Sequence, residues 1–483
     1  MMTTNQRQTP RKWAVAHFGG AELSDVRRVA RVVTIAEAMT ASPGKCLPQL
    51  FAHPYDLKAA YAFLRHLEAT PDHVQAGHRE RVLCEMEQPG RYRLLEDTSE
   101  IRCTTTGEII VLGPVGARKE ARLGFHLHSV LAVRWPAAPA TAAPQRRTVE
   151  ILGLADQQSH VREPRPATVK PHASLRRVWP AEELESSLWE KASRRLGAAP
   201  ARQDVTWIKV GGRGADIFAH LRECQRHKQR FIIRARQDRV LLIAQGKRAG
   251  KVVETVRATP DFGALTMALR ARPGQAARRA GRQASVTPLR LRAPQSVGQS
   301  PGARPPLEWV AVCIWEPHPP PGRAALAWLL LTDLVGTNFA QACEVVQMYA
   351  TRWLEEEFHK ALKTGMDAEG TQLKTAAAWF SIVAIKSVAA LRLIEMREGL
   401  RLTPEAPAEA AGLSERELQV LQARSRKPLK TVAAVALAIG RLGGHLNRKS
   451  DGLPGWITLW RGWEVLQTLV EGVLIARNLT NSG

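Results

Sequence analysis

Four polar residues in the second half of the chain have types and spacing that suit phosphodiester chemistry. They are Tyr349, Arg352, Glu356 and Lys363, in the run QMYATRWLEEEFHKALKTG. A carboxylate binds hard divalent metal ions, while cations and a phenol hold phosphate oxygens. One carboxylate flanked by two cations and a phenol therefore predicts metal-assisted cutting of a phosphodiester.

The helical period would bring these four side chains together. At about 100° per residue, all four fall within about a 60° arc of one helix face. Leu354, Phe358, Ala361 and Leu362 fall on the opposite side, so the helix has an apolar back that can pack on a core. The alternative interpretation is an ordinary solvated helix face with charge pairs.

The spacing Y-x2-R-x3-E-x6-K resembles the signature of bacterial insertion-sequence transposases of the DDE class, in the insertion-sequence-four family. Similarity also covers WAVAHFGGAELSDVRRVARV, EDTSE, AIGRLGGHLN and LWRGWEVLQ, which are spread over nearly the whole chain. The resemblance implies an α/β, ribonuclease-H-like (retroviral-integrase-like) catalytic core with a β-rich insertion, flanked by helical domains. It also implies cut-and-paste transposition. Such a protein binds terminal inverted repeats of double-stranded DNA, pairs them as a homodimer in a synaptic complex, and transfers the cut ends into target DNA.

The resemblance assigns roles to particular residues. Asp97, in EDT, matches the first catalytic carboxylate and Glu356 matches the third, and both are expected to bind Mg²⁺, for which Mn²⁺ can substitute. Two ions about 3.5–4 Å apart would activate the attacking oxygen and stabilise the leaving one. Tyr349, Arg352 and Lys363 match residues that grip the phosphates near the cut.

The second catalytic aspartate is missing from the chain. Relatives read V-x-D-R-x-A-D-I in a strand-to-helix turn, whereas this chain reads VGGRGADI, with Gly212 in the catalytic place. Glycine offers no metal ligand, and Asp216 lies about one helical turn further on. Losing a bridging ligand is expected to cost about a thousandfold in rate, or about 4 kcal/mol of barrier. The sequence thus predicts little or no strand transfer. The alternative is a catalytically inactive transposase-derived DNA-binding protein or inhibitor of transposition, and a second rival is a nuclease without end specificity.

Further residues are candidates for DNA contact. Trp328, in AWLLLTD, matches a family tryptophan associated with a flipped base. Stacking on an indole stabilises a displaced base by about 1–3 kcal/mol. A core tryptophan is the alternative for Trp328, and the same two interpretations apply to Trp353. Arg230 and Arg234 flank a strand near the site and are expected on the DNA side.

Residues 1–70 have the pattern of two short basic helices. Ser24 or Asp25 can cap a helix that runs to about Met39, and YDLKAAYAFLRHLEA predicts a second helix. The expected apolar stripe of the first helix is Val26, Val29 and Val33. The arginines expected to contact DNA are Arg27, Arg28 and Arg31. A DNA-end-binding module and a plain helical cap with solvated arginines both fit the pattern.

Strands mixed with helices follow from about residue 90 and indicate an α/β core. The run RYRLLEDT predicts a strand that ends on Asp97. Residues 262–307 contain eight arginines and no acidic side chain, which fits a disordered basic insert or a β-rich one with mobile loops. The expected domains are a helical DNA-end-binding domain (1–70), a catalytic domain (71–380) with a basic insertion at about 240–325, and a helical dimerisation domain (381–483).

The bulk composition favours a nucleic-acid partner. Lysine and arginine number 69 against 45 acidic residues, which gives a net charge of +24. Such a surface gains by releasing counterions from nucleic acid. No run of 18 apolar residues indicates a membrane span, and MMTTNQRQTPRK lacks the apolar centre of a signal peptide. The six cysteines show no CxxC spacing. We therefore expect a bacterial cytoplasmic protein that associates with the nucleoid through DNA and not with a membrane.

Overall fold

The computed structural model describes residues 9–104, 112–116, 122–135, 149–164, 180, 183–242, 248–259, 263–269, 278–291, 307–322, 325, 327–334, 338–448, 451 and 453–481. The α-helices within these residues are α1 (Pro10–Phe18), α2 (Val26–Ala41), α3 (Leu47–Leu50), α4 (Pro54–Leu64), α5 (Pro71–Met86), α6 (Ser187–Leu196), α7 (Phe218–Arg226), α8 (Val252–Ala258), α9 (Phe339–Ala350), α10 (Trp353–Lys360), α11 (Ala376–Leu402), α12 (Glu415–Arg424), α13 (Val432–Leu442) and α14 (Trp456–Asn481). The strands are β1 (Gly90–Arg102), β2 (Gly113–Val115), β3 (Arg122–Trp135), β4 (Glu150–His160), β5 (Val205–Gly211), β6 (Arg230–Arg234), β7 (Val240–Leu242), β8 (Arg248–Lys251), β9 (Gly263–Leu269), β10 (Arg278–Leu291), β11 (Leu307–Trp315) and β12 (Ala327–Thr332).

The described strands form one mixed sheet, which confirms the predicted α/β class. Its order is β2-β3-β1-β5-β6-β12-β11-β10-β7-β8, with β4 paired to β3 and β9 paired to β10. Strands β1, β5 and β6 run parallel at the centre, while β3, β4 and the strands beyond β6 pair antiparallel. The sheet therefore has a parallel centre between two antiparallel wings.

The arginine-rich segment 262–307 contributes strands to this sheet. Strand β10 pairs with β9 on one side and with β11 over nine residues on the other. The described parts of the segment are thus β-rich, which agrees with the second of the two predicted alternatives, a β-rich insert. Four of its eight arginines lie outside the described residues: Arg270, Arg272, Arg292 and Arg304.

The N-terminal helices form largely as the sequence predicted. Asp25 caps α2, and its carboxylate accepts a hydrogen bond from the Arg27 backbone N–H at 2.8 Å. Val33 is buried, but Val26 is 82% exposed, so the predicted apolar stripe is wrong at its first member. The first turn of α2 extends beyond the packed part of the helix, where periodicity no longer decides burial.

Helix α11 is the central core helix. Trp379, Ile385 and Ile394 along it are fully buried, and it packs against α2, α4, α5, β4 and α14. It is long and apolar enough to cross a membrane, yet 83% of its most apolar window is buried inside the protein. The expected domain boundary at residues 380–381 falls within this helix.

Candidate active site

Asp97 lies within β1, and not at its end as the sequence suggested, because the strand continues through its pairing with β3 as far as Arg102. Successive strand residues point to opposite faces of the sheet. Leu95 therefore packs in the core cluster that contains α10 and α11, while Leu94 packs with α6. By the same alternation, Asp97 faces α10 and Glu96 faces the opposite layer.

Arg352 joins the two predicted catalytic carboxylates. Its Nη1 donates to Asp97 Oδ2 at 3.2 Å, and its Nη2 pairs with Glu356 Oε1. Burial raises the pKa of Asp97, while the charge of Arg352 acts against this rise. The guanidinium thus supplies positive charge between a half-buried carboxylate and an exposed one.

Gly212 follows β5 and faces the same guanidinium. The parallel register pairs Glu96 with Gly211, which puts position 212 beside Asp97. A Cβ at position 212 would lie 3.9 Å from Arg352 Nη1, at ordinary contact distance, and φ there is −73°. At Gly211, by contrast, a Cβ would lie 2.5 Å from the Ala215 Cβ. The turn therefore requires the first glycine of the pair but not the second, and the backbone can accept an aspartate at Gly212.

The predicted single helix over 349–363 is wrong. Helix α9 ends at Ala350, α10 begins at Trp353, and residues Ala361–Gly365 form a π-helical turn. At the break, the Thr351 hydroxyl donates to the Met348 carbonyl at 2.7 Å, and buried Arg93 binds the same hydroxyl. The backbone bonds at the break span three residues instead of four, as in the bond from the Arg352 N–H to the Tyr349 carbonyl at 3.0 Å, and Tyr349 still interacts electrostatically with Arg352.

The predicted apolar back of this segment is confirmed. Its four members, all at most 1% exposed, are Leu354, Phe358, Ala361 and Leu362.

Tyr349 is buried beside Trp328. Their rings meet edge to face with centroids 5.0 Å apart. Trp328 is half-buried, and the Arg282 guanidinium lies 5.2 Å from its ring centroid. Arg234 interacts with Tyr349 and donates to the Ala327 carbonyl at 3.2 Å. Three predicted DNA contacts, Tyr349, Trp328 and Arg234, thus form one group.

The other candidates lie apart from that group. Lys363, on the π-helical turn, is 3.8 Å from Glu369, and burial lowers its pKa. Trp353 is half-buried, with the Arg397 guanidinium 4.9 Å from its ring centroid. Arg230 begins β6 and lies 3.6 Å from Asp333. Since Arg234 ends that strand, Arg230 is at the opposite end from the carboxylates.

Both carboxylate oxygens of Asp216 interact with the loop after β6. Its Oδ2 accepts the backbone N–H groups of Arg236 and Gln237 at 2.7 and 2.9 Å, and its Oδ1 lies 2.6 Å from Arg239. The side chain is 0% exposed. This carboxylate fixes the turn that follows Gly212 and is not turned towards Asp97.

The sequence reasoning missed two buried acids beside the site. Glu96 pairs with Lys209 at 2.6 Å and with His128 at 2.9 Å. Glu355 is completely buried, and burial raises its pKa well above the ordinary range, with Asp97 adding to the rise. A lysine inside the apolar run WIKV and the triplet EEE were the available signals.

The donor set fits one hard divalent cation better than two. Asp97 and Glu356 offer carboxylate oxygens, which Mg²⁺ and Mn²⁺ prefer. A pair of ions needs a further bridging carboxylate, and Gly212 supplies none. Among the residues that the structure describes, no group of three or more His, Cys, Asp or Glu side chains is gathered for a metal ion.

The predicted DNA-contacting arginines of α2 border a groove against α4. Arg28 pairs with Glu68 at 2.6 Å and Arg31 with Asp56 at 3.0 Å. Arg27 is 90% exposed, although it also pairs with Asp25. The three arginines line this groove together with Tyr55 and His66 on its far side.

Residues 10–69 match the transposase DNA-binding family. The match spans α1 to α4 and includes the whole arginine-lined groove. It confirms the predicted transposase DNA-binding segment at the N-terminus, and it supports DNA as a partner of this protein. The match covers this N-terminal part of the chain and supports a DNA-binding, transposase-like role.

Proposed function

We propose that this chain is a DDE-class cut-and-paste transposase of the insertion-sequence-four type whose chemistry is impaired at Gly212. The observation that carries the proposal is the convergence of Asp97, Glu356 and position 212 on Arg352, in a chain whose residues 10–69 match the transposase DNA-binding family. The central strand order β4-β3-β1-β5-β6, three antiparallel strands followed by two parallel ones, supports a ribonuclease-H-like core.

In this proposal each residue group has a separate task. Asp97 and Glu356 would hold Mg²⁺, or Mn²⁺ in its place, and such an ion would supply Lewis-acid polarisation of the phosphodiester. Arg352, Tyr349 and Lys363 hold phosphate oxygens near the cut. The α2–α4 groove binds the terminal repeat.

Pairing of two transposon ends requires a second copy of the chain. The last turns of α14 support this, because Leu474, Ile475 and Leu479 are 37–71% exposed there. Trp456, Leu459 and Leu466, earlier in the same helix, are instead buried domain core. The homodimer contact is therefore assigned to the C-terminal end of the helix.

The test compares the full chain with Gly212→Asp and with Gly212→Asn, which has the same size but no charge. Selection from a randomised duplex library first identifies the bound sequence, and a labelled duplex carrying it is then incubated with Mg²⁺ or Mn²⁺. We expect all three proteins to bind and only Gly212→Asp to cut rapidly, about a hundredfold to a thousandfold faster. Absence of cutting by Gly212→Asp would contradict the proposed reaction.

The alternative function is a DNA-binding protein or inhibitor of transposition that no longer cuts. Gly212 itself favours this inactive form, because the turn has room for a side chain at position 212 but the chain carries none at that position. Sequence-specific binding by the chain as it stands, with no cutting at any metal concentration, would support this function.

A further inference from the structure

Arg282 is a buried cation on β10. The residue is 1% exposed, and none of its three guanidinium nitrogens has a hydrogen-bond partner among the described residues. The Trp328 indole covers it, with the guanidinium carbon 5.2 Å from the ring centroid. This cation–π contact offsets only part of the cost of burying a guanidinium, because the N–H groups still lack acceptors.

Glu316 does not supply the missing acceptors. The strand register that pairs Gln283 with Trp315 brings Glu316 next to Arg282, and the two charges attract each other. Both oxygens of Glu316 are bound by Arg278, however, with Nη2 donating to Oε2 at 2.9 Å and Nη1 to Oε1. Glu316 therefore reduces the cost of the buried charge but leaves the N–H groups of Arg282 without a hydrogen bond.

Arg282 lies beside the candidate active site. Trp328 meets Tyr349 edge to face at 5.0 Å, and the Tyr349 carbonyl accepts the backbone N–H of Arg352, whose side chain pairs with Asp97. Aromatic rings combined with arginine are suited to unpaired nucleotides, because every base can stack on them. A duplex is too wide to reach a guanidinium that is 1% exposed, whereas a single nucleotide turned out of the helix can enter a buried pocket.

We propose that Arg282 binds a nucleotide that is turned out of the duplex beside the candidate active site. The proposal rests on the proposed function and adds a DNA-binding residue to it. The guanidinium donates to acceptor atoms of this nucleotide, on the edge of its base or on its phosphate, while the Trp328 indole stacks on the base. Because Trp328 covers Arg282, the indole must turn to admit the nucleotide.

The test measures the affinity of the full chain for matched duplexes by fluorescence anisotropy. The duplex is the one selected from the randomised library, and each base pair near its end is replaced in turn by a mismatch, which lowers the cost of turning a base out. At one position, wild type should bind the mismatched duplex about tenfold more tightly than the paired one. Arg282→Met should lose this gain, because hydrogen bonds from a charged group contribute about tenfold or more.

Arg279→Met is the matched control. Arg279 lies on the same strand, but it is exposed and belongs to the opposite face of β10. This variant should weaken the binding of paired and mismatched duplexes equally and keep the mismatch gain. A mismatch gain that Arg282→Met leaves unchanged, or that both variants lose equally, would overturn the proposal.

Thermal unfolding separates a DNA-binding residue from a merely structural one. A buried charge without hydrogen bonds costs stability, so Arg282→Met should unfold at the same temperature as wild type or a higher one. A lower melting temperature with an unchanged mismatch gain would identify Arg282 as a structural partner of Glu316. Should Arg282→Met misfold, Arg282→Lys keeps the charge without the planar fork and should still reduce the gain by at least about threefold. An unchanged gain in Arg282→Lys would then overturn the proposal.

Two modified duplexes distinguish the base from the phosphate. An abasic site at the same position removes the base and keeps its phosphate, whereas a methylphosphonate at that linkage removes the phosphate charge and keeps the base. Loss of the Arg282-dependent gain with the abasic site assigns the guanidinium to the base edge, and loss with the methylphosphonate assigns it to the phosphate. A gain that survives both changes would contradict the proposal.

These results are independent of the proposed reaction. A mismatch gain that depends on Arg282, in a chain whose Gly212→Asp form cuts no DNA, would keep the nucleotide site and lose the transposase reaction. Cutting by Gly212→Asp, combined with a mismatch gain insensitive to Arg282, would do the reverse.

Discussion

The buried ion pair behind the candidate site should control the stability of β1. Lys209 Nζ lies 2.6 Å from Glu96 Oε2, and the two side chains are 0% and 1% exposed. His128 Nε2 lies 2.9 Å from the other carboxylate oxygen. Glu96→Gln would keep the shape of the side chain but leave the Lys209 cation buried without its counter-charge.

The magnitude follows from the pKa of Glu96. Burial acts to raise it, but the charge of Lys209 and the hydrogen bond with His128 lower it to about 2, against an ordinary value of 4.5. At about 1.36 kcal/mol for each pKa unit, ionised Glu96 contributes about 3 kcal/mol to folding at pH 7. Breaking one partner of a buried pair typically costs about 3–5 kcal/mol, which agrees.

The sign of the pH dependence is also fixed. Because the folded pKa is below the unfolded one, this stabilisation is complete above about pH 4.5 and is lost as the pH falls towards 2. The difference between wild type and Glu96→Gln should therefore be about 3 kcal/mol at pH 7. At pH 3.5 it should be about 1 kcal/mol smaller.

Hydrogen exchange of peptides from β1 and β5, read by mass spectrometry, measures the stability difference between wild type and Glu96→Gln locally. This measurement does not require two-state unfolding of the whole protein. Glu85→Gln is the control, because Glu85 pairs with Arg134 at 3.0 Å with side chains 48% and 31% exposed. That pair should contribute less than about 1 kcal/mol. Protection of β1 in Glu96→Gln within about 1 kcal/mol of wild type, or a difference equal at both pH values, would refute the reasoning.

Three further predictions concern other parts of the molecule. Asp216→Asn should destabilise the protein by about 2–3 kcal/mol in thermal unfolding, because Asp216 holds the loop after β6. The same variant should leave the Mn²⁺ affinity unchanged, and lost Mn²⁺ binding would contradict this prediction. Arg27→Ala should weaken DNA binding for all sequences and reduce the salt slope by about one, measured by fluorescence anisotropy. The control Arg226→Ala, on 70% exposed Arg226 of α7, should change neither. Burial raises the pKa of Glu395 to about 7, although the charges of Arg81 and Arg392 act to lower it. Because the folded pKa is above the unfolded one, the folded protein loses stability as the pH rises from about 4.5 through 7. Glu395→Gln should remove that part of the fall in melting temperature between pH 5 and 8, and an unchanged fall would argue against it.

Local patterns predicted the elements well where a cap or a long period defined them. Asp25 caps α2 as expected, and the apolar back from Leu354 to Leu362 is buried. Where tertiary contacts compete with the local pattern, the prediction failed. The helix over 349–363 breaks because Arg93 and Thr351 take the Met348 carbonyl, and Arg93 comes from a strand more than 250 residues earlier.

The sequence alone determined the charge balance, the α/β class and the glycine at position 212, because these depend on residue types and short spacings, whereas the family match identified the N-terminal DNA-binding segment. Only the tertiary structure decided which groups meet. It brought Asp97, Glu356 and Gly212 to one guanidinium, moved Arg230 to the far end of β6 and buried Glu355 beside Asp97. Such contacts arise from strand register and helix packing between distant segments, and no local period encodes them.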